Sequence, residues 1–478
     1  MCEKPLIAPF RQCISYGLAL SCSFVFGCKV GWLSSTITAI LSEDSSPIPI
    51  TENDISWMAS ISFTASIFSV LLCFFMGDKV GRRTFLVGVA VYYIIAWALI
   101  LFTSSATIII VCFCLYGIAS GTQYTICHVY VGEITSPKNR ELIGTSYGLA
   151  TAIGVEVEIL MSLFGSYRLL ALFPLIVSML TLLTAFFMIE SPYYLVGRGD
   201  NKRALRNLSY LHNYSEDEAL AELHLVQQYV NEQKSEKSKS NWKIILQPNN
   251  LKLTFIMILL NGLTVMDCSA IIPVTGSFML KDFQDHVNGQ LFVNIYSFVG
   301  IAFTFISFYT IKKFNRRSLT LFGYLGDGVV QVICGICYWV ESQNGNSCGW
   351  LANVIAYLLV VQRMQAMLTF GVAMEILKTE IFPHKLKVFY SSLLLCTGDW
   401  SIFTLIKSYF WLEPILGNAG LLVIYGIISF VAYALTLIFV NDTKNKTLLQ
   451  IRTDINAEIQ KHESDTLQHD NKVSKPVV

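Results

Sequence analysis

The arginine-bearing turn Gly77-Asp78-Lys79-Val80-Gly81-Arg82-Arg83 returns in altered form as Lys312-Lys313-Phe314-Asn315-Arg316-Arg317. Each copy ends one long apolar segment and begins another, and the two lie roughly half the chain apart. Two copies of one helical bundle are the simplest reading. In a membrane, two similar halves can rock about a site held between them.

Crossing about 30 Å of hydrocarbon takes roughly 20 apolar residues in a helix. Twelve stretches qualify: 14–40, 56–76, 85–103, 107–130, 143–164 and 169–189, then 251–275, 290–311, 318–340, 350–378, 388–411 and 419–440. The pattern predicts an all-α membrane protein with twelve transmembrane helices in two pseudo-symmetric six-helix bundles. The expected divisions are a first bundle at 1–189, linker helices at 190–250, a second bundle at 251–440 and a tail at 441–478. The first apolar run is too long for a signal peptide and has no small-residue cleavage site.

Composition agrees. Of 478 residues, 54% are apolar and 14% charged, and mean hydropathy is +0.54. A water-soluble surface needs nearer a quarter charged residues. The net charge of +1 leaves no nucleic-acid footprint. Most of the thirteen cysteines, Cys73, Cys112, Cys334 and Cys337 among them, lie inside apolar runs and read as small hydrophobes. Cys348 alone is placed outside, without a disulfide partner.

Positive charge in short loops marks the cytosolic side. One set of connections carries Lys79, Arg82, Arg83, Lys138, Arg140, Lys312, Lys313, Arg316, Arg317, Lys385 and Lys387. The opposite set is acidic or neutral, with Glu43, Asp44, Glu52 and Asp54 in 41–55. Both termini and the 190–250 segment are therefore expected in the cytosol of a multi-pass cell-membrane protein. The sequons at Asn207, Asn213, Asn441 and Asn445 then stay unglycosylated. Within 190–250, residues 201–210 and 216–230 read as amphipathic helices, the second with Leu220, Leu223, Val226 and Tyr229 on one face. The 233–240 run and 453–478 are polar and expected to lack fixed structure.

Five motifs now carry a resemblance. They are the 77–83 turn, Glu133-Ile134-Thr135-Ser136-Pro137-Lys138-Asn139-Arg140, Glu190-Ser191-Pro192-Tyr193-Tyr194-Leu195, Glu380-Ile381-Phe382-Pro383, and Asn441-Asp442-Thr443-Lys444-Asn445-Lys446-Thr447-Leu448. In this order, each at a cytosolic helix end, the chain resembles the sugar porter family of the major facilitator superfamily, its insect trehalose and glucose facilitators above all. The resemblance covers about residues 10 to 450. It implies alternating access, a small-molecule sugar substrate and a lipid bilayer as surroundings. It also implies an inner-face charge network of Asp78, Arg82, Arg83, Glu133, Arg140 and Glu190, matched by Arg316, Arg317, Glu380 and Lys387. Such a network would hold the outward-open state; the plainer reading is positive-inside anchoring, which suits Lys79, Lys312 and Lys313 best.

The chain departs from the family at named positions. Lys312 and Asn315 replace Asp and Gly, Phe113 replaces the helix-4 Arg, and His128 replaces a Pro. Lys385 and Lys387 stand where arginines are usual, losing the bidentate fork. In the sugar site, the helix-5 Gln falls at Gly148 and the helix-7 glutamines fall at Asn261 and Gly262. Thr264 keeps a hydroxyl, and Asp267 replaces an Asn. Helix 10 reads Gly371-Val372-Ala373-Met374-Glu375, without the family's prolines and Trp, while Asp399-Trp400 keeps the Trp of Asn-Trp. The resemblance thus implies Asn261, Thr264, Asp267, Glu375 and Trp400 as substrate-binding residues.

Charges at membrane depth are expensive and usually face a cavity or one another. Lys29, Glu156, Glu158, Asp267, Arg363 and Glu375 are of this kind. Lys29, Glu156 and Asp267 fall about 20–24 Å from the cytosolic helix ends at 1.5 Å per residue, so they can meet. Lys29 and Glu156 are candidate coupling residues, with protons as co-substrate; the alternative is a purely architectural ion pair. Glu156 and Glu158 point to nearly opposite sides, so at most one is expected to face a cavity.

No enzymatic constellation, metal-ligand pattern, cofactor motif or phosphate-binding loop is found, and ATP-driven transport has no support. Three readings stay open: facilitative transport of a hexose or trehalose-like sugar, a proton-coupled or altered-substrate transporter, and a non-transporting nutrient sensor of the same fold. The terminal tails are short for signalling domains.

Overall fold

The computed structural model describes residues 7–41, 50–76, 79–134, 140–162, 167–212, 215–237, 248–283, 285–343, 349–371, 373–374, 377 and 387–440. Among them only helices occur as regular elements: α1 (Ile7–Leu41), α2 (Glu52–Met76), α3 (Arg82–Phe102), α4 (Ala106–Ile134), α5 (Arg140–Ser162), α6 (Tyr167–Ala185), α7 (Pro192–Gly197), α8 (Asn201–His212) and α9 (Glu216–Lys237). After the linker come α10 (Pro248–Val265), α11 (Cys268–Met279), α12 (Gly289–Lys313), α13 (Arg316–Gln343), α14 (Gly349–Leu368) and α15 (Lys387–Phe439).

Nine helical segments among the described residues are long and apolar enough to cross a membrane. One of these, Ser392–Phe439, has 48 residues, about 72 Å of helix. It is broken at Gly417, whose φ of 64° lies in the left-handed region that glycine tolerates. It therefore supplies two of the twelve expected crossings. The other two that the nine omit are α1 and the glutamate-bearing α5. A further expected span is interrupted: 250–279 breaks between α10 and α11 at Met266 and Asp267.

Within the first half α1 packs on α5, α2 on α4, and α3 on α4 and α6; within the second, α13 packs on α14 and α15, α12 on α14, and α10 on α15. Contacts between the halves run from α2 to α15, α1 to α11 and α5 to α12. Apolar side chains do not separate such helices from lipid, so small residues set how closely they approach. A Cβ on Gly27 of α1 would sit 2.0 Å from the Thr151 carbonyl oxygen, and one on Gly154 of α5 would sit 2.1 Å from that of Phe24. Large apolar side chains such as Phe68, Phe75, Phe102, Phe187, Tyr357 and Trp411 stay largely exposed. In water that surface would aggregate; in hydrocarbon it is the required one. The protein is a multi-pass membrane protein.

The linker helices form a small core of their own from Leu195, Val196, Ala204, Leu208, Leu223 and Val226. Ser191 caps α7, with Pro192 in the first turn where its missing N–H costs nothing. Ser215 and Glu218 make a reciprocal capping box at α9 (3.0 and 3.4 Å). The buried stripe of α9 differs slightly from the expected one. Ala219, Leu223 and Val226 are buried, whereas Leu220 is exposed and Tyr229 lays its exposed ring edge-on to Tyr193 at 5.7 Å. The stripe turns because the partner surface is α7 and α8, not a flat membrane.

Candidate functional site

At the loop end of the first half, α3 and α4 are joined by a forked ion pair. Arg82 Nε and Nη2 donate to Glu133 Oε2 and Oε1 at 3.2 and 3.0 Å, with side chains 10% and 15% exposed. The guanidinium also lies 5.5 Å from the centre of the Tyr194 ring. This fork is the geometry for which arginine is suited and lysine is not.

Glu190 behaves differently from the expected network. Its Oε1 accepts from the backbone amides of Arg83 (3.3 Å) and Ser191 (3.1 Å), so it caps helix starts. Asn207 of α8 donates to the Glu190 carbonyl (2.8 Å), and Arg198 to the Lys79 carbonyl (2.5 Å). The linker helices are thereby tied to the start of α3. Arg83 itself donates to the Phe186 carbonyl at 3.2 Å. In the second half Arg317 donates to the Leu437 carbonyl at 2.8 Å. Arg316 opens α13, and its carbonyl accepts from Thr320 (2.5 Å). Asp78, Glu375 and Glu380 lie outside the described residues, as do the side chains of Arg140, His128 and Lys387.

Deeper in the helices, Lys29 of α1 is buried. Its Nζ donates to Ser62 Oγ of α2 at 2.7 Å, and the rings of Phe26, Phe63 and Phe113 stand 5.2–5.4 Å away. One turn along α2, Ser66 donates to the Asp399 carboxylate of α15, in the other half. Asp399 is the acid within electrostatic reach of Lys29. Opposite charges thus face each other across the boundary between halves, with two serine hydroxyls of α2 between them.

The expected cluster of Lys29, Glu156 and Asp267 is not formed. Asp267 is held in the second half, where it caps α11 by accepting from the Ser269 amide (3.2 Å) and takes further bonds from Gln331 and Gln362. The break before α11 gives Asp267 an extended backbone and turns its side chain onto these donors. Glu156 and Glu158 are both buried. Glu158 packs on α1, where a Cβ at Gly31 would lie 2.8 Å from its own Cβ. Glu156 Oε2 has no hydrogen-bond partner among the described residues, and the Glu158 carboxyl has the Cys28 thiol of α1 beside it.

The remaining residues named for substrate binding have mixed settings. Asn261 is buried, with Nδ2 donating to the Leu394 carbonyl (2.8 Å) and Thr397 Oγ1 (3.3 Å), while its Oδ1 has no partner among the described residues. Thr264 donates to the Leu260 carbonyl (2.7 Å) and meets the Tyr324 hydroxyl. Trp400 is 56% exposed and stacks on Phe403 at 5.5 Å. Gly148, where the family has an amide, faces open space. Asp267, buried and fully engaged, is unavailable to a solute in this arrangement.

The sequence profile described as "Sugar (and other) transporter" matches residues 15–455. The chain belongs to this transporter family. Among its curated relatives, the Facilitated trehalose transporter Tret1-1 of Drosophila sechellia is 23% identical over 446 residues, covering 92% of this chain and 51% of that protein. The Facilitated trehalose transporter Tret1 of Polypedilum vanderplanki is 21% identical over 449 residues, covering 92% and 87%. The chain therefore spans about half the length of the Drosophila relative and most of the midge one. Among solved structures, the xylose transporter XylE from E. coli in a partially occluded inward-open conformation aligns with a TM-score of 0.75 at 16% identity, covering 92% of this chain and 100% of that one. XylE described as a proton:xylose symporter, bound to 6-bromo-6-deoxy-D-glucose, aligns at 0.70 and 17%, covering 93% and 99%. These likenesses show that the family member has the major facilitator fold.

Several buried polar residues of this family member were not foreseen. Asp327, Gln331 and Gln362 complete the Asp267 network, and Gln123 accepts from Tyr93 (2.5 Å) and donates to Ser23 (3.1 Å). Asp399, in sequence a variant of the family Asn, gives no sign of its place opposite Lys29. The available signal was the four-residue spacing of Asp327 and Gln331, which puts both on one helix face.

Proposed function

We propose that this chain carries a neutral sugar, a hexose or a trehalose-like disaccharide, across a membrane by alternating access of its two halves. The family match over 15–455 is the observation that carries the reading. The contacts that cross between the halves at α2–α15, α1–α11 and α5–α12 support it. The working divisions are 1–189 and 251–440 as moving halves, 190–250 as a linker brace on the first half, and 441–478 as a tail. Both termini and the linker face the cytosol, on the positive-inside pattern. The Arg82–Glu133 fork closes the inner end of the first half. Transport is facilitative and involves no covalent chemistry.

The test is uptake of labelled trehalose and glucose into vesicles holding the purified full-length chain, with and without an imposed pH gradient. The expected result is saturable uptake of one of them that stops at equal concentrations inside and out. Accumulation driven by the pH gradient would replace the facilitative part with proton coupling. Uptake of neither sugar, in vesicles where the folded protein is present, refutes the reading.

A further inference from the structure

We infer that Asp267 and Asp327 form a one-proton site inside the second half, the two carboxyl groups sharing a single proton between the α10–α11 break and α13. Both acids are buried, 2% and 0% exposed. Both are gripped by the same two amide nitrogens. Gln331 Nε2 reaches Asp267 Oδ1 and, at 2.9 Å, Asp327 Oδ2. Gln362 Nε2 reaches Asp327 Oδ1 at 2.7 Å and Asp267 Oδ2 at 3.3 Å. Groups spanned by one nitrogen stand within about two hydrogen-bond lengths of each other. Two carboxylates that close, out of water, do not both ionise without a cation between them.

No described cation is in a position to neutralise the pair. Arg363 faces it from α14, but its Nη1 points to the Ser269 carbonyl at 3.5 Å and its guanidinium lies 5.2 Å over the Tyr296 ring. The other titratable groups facing the acids are the thiols of Cys268 and Cys334 and the phenols of Tyr296, Tyr324 and Tyr425. These are neutral groups. The remaining donors are already committed: Ser429 Oγ to Asp327 Oδ2 at 2.7 Å, and the Ser269 amide to Asp267.

A second sign is the other end of the Gln331 amide. Gln331 is fully buried between the two carboxyl groups, and its Oε1 has no hydrogen-bond partner among the described residues. Within the four side chains of the cluster the unsatisfied atom is therefore an acceptor, while the Nε–H of Arg363 beside them is a donor without a partner among the described residues. A proton on either carboxyl adds a donor to a cluster that is short of one; the orientation of such an amide is itself set by where the protons are. Because Asp267 also caps α11, the proton sets the charge at the one break in the 250–279 span. The site stands whichever solute is carried.

The test uses the purified full-length protein, read by infrared spectroscopy in light and heavy water and by thermal unfolding across pH. Wild type at neutral pH should show the stretch of a protonated carboxyl group. That band should vanish in Asp267→Asn and in Asp327→Asn, since a lone remaining acid keeps its donors and loses its charged neighbour. It should survive in Glu156→Gln, Glu158→Gln and Glu341→Gln, which separates it from the other buried glutamates. The folded pair holds a proton that the unfolded chain releases above the ordinary carboxylate range. Stability therefore falls as pH rises, with a midpoint loss of several degrees in wild type and a flatter profile in either Asn variant. The inference is overturned if no protonated-carboxyl band tracks either aspartate, a result readable in wild type alone if the band is missing there. It is also overturned if sodium in place of choline at constant ionic strength raises the unfolding midpoint, because a metal cation would then occupy the place of the proton.

Discussion

The two halves hold their buried charge in different ways. In the second half, Asp267 and Asp327 are surrounded by donors from α11, α13, α14 and α15, each carboxyl taking bonds from two glutamines and one further group. In the first half, Lys29 has one hydroxyl and three aromatic faces, and Glu158 has the weakly donating Cys28 thiol beside it. The acid that balances Lys29 lies in the other half, on α15. A polar group satisfied within its own bundle stabilises that bundle in every conformation. One balanced only across a boundary is strained whenever the boundary opens. The second half is thus built as a closed polar core, and the first as a core that depends on its neighbour.

The most disruptive way to break this contrast is to remove one member of the pair that spans the halves. Lys29→Met leaves the half-buried Asp399 with Ser66 alone, and Asp399→Asn leaves the buried Lys29 on Ser62 and the rings. Asp399→Asn should cost up to about 3–5 kcal/mol, the upper range being that for an uncompensated buried charge, and Lys29→Met should cost less because Asp399 is half-exposed. The double variant should recover most of that loss. Thermal unfolding of all four proteins closes the cycle. Simple additivity would mean that the two charges are balanced separately, and the contrast would fail for this pair.

Much of the architecture was legible because hydrocarbon dictates it. A helix must be long and apolar to satisfy its backbone in lipid, and twelve such stretches were countable. The Arg82–Glu133 fork was legible because acid and base recur at helix ends, where positive charge also marks the inner side. The mid-depth polar core was not. A single Asp327 or Gln362 inside an apolar run leaves the hydropathy pattern intact, and apart from Gln331, four residues along from Asp327, the partners come from 35 to 102 residues away. The break at Asp267 was also hidden, since 250–279 reads as one unbroken apolar span. That break is why Asp267, placed by depth beside Lys29, turns instead to Gln331 and Gln362.

A smaller effect sharpens the contrast at the loop ends. The Arg82–Glu133 fork is nearly buried, so Glu133→Ala should cost about 1.5–3 kcal/mol, as for hydrogen bonds to a charged group. Arg317→Ala removes one bond to the Leu437 carbonyl from a half-exposed side chain, and about 0.5–1.5 kcal/mol is at stake. A cysteine introduced at the open position Gly148 reports conformation by maleimide labelling from the proposed inner side. Labelling should rise clearly in Glu133→Ala and little in Arg317→Ala. Equal changes in both would show that the two inner ends are closed by comparable means despite their different contacts.

The finest test asks whether the closed core of the second half has a working face. Asn261 ties α10 to α15 through Nδ2, which donates to Leu394 and Thr397, while Oδ1 is left unpartnered among the described residues. If Oδ1 accepts a sugar hydroxyl, its loss in Asn261→Ala should weaken binding by about 0.5–1.5 kcal/mol, roughly a 2- to 13-fold rise in half-saturation. Asn261→Asp separates the two ends of the amide. It keeps an acceptor at Oδ1 but cannot donate to Leu394 when ionised, so stability should fall while affinity is better retained. Transport kinetics and unfolding midpoints on matched amounts of folded protein distinguish these cases. Unchanged half-saturation in Asn261→Ala, together with a lowered midpoint, would make Asn261 a tie between helices and nothing more. The polar core of the second half would then be closed to solute at this position too, and the contrast between the halves would extend to where the sugar is held.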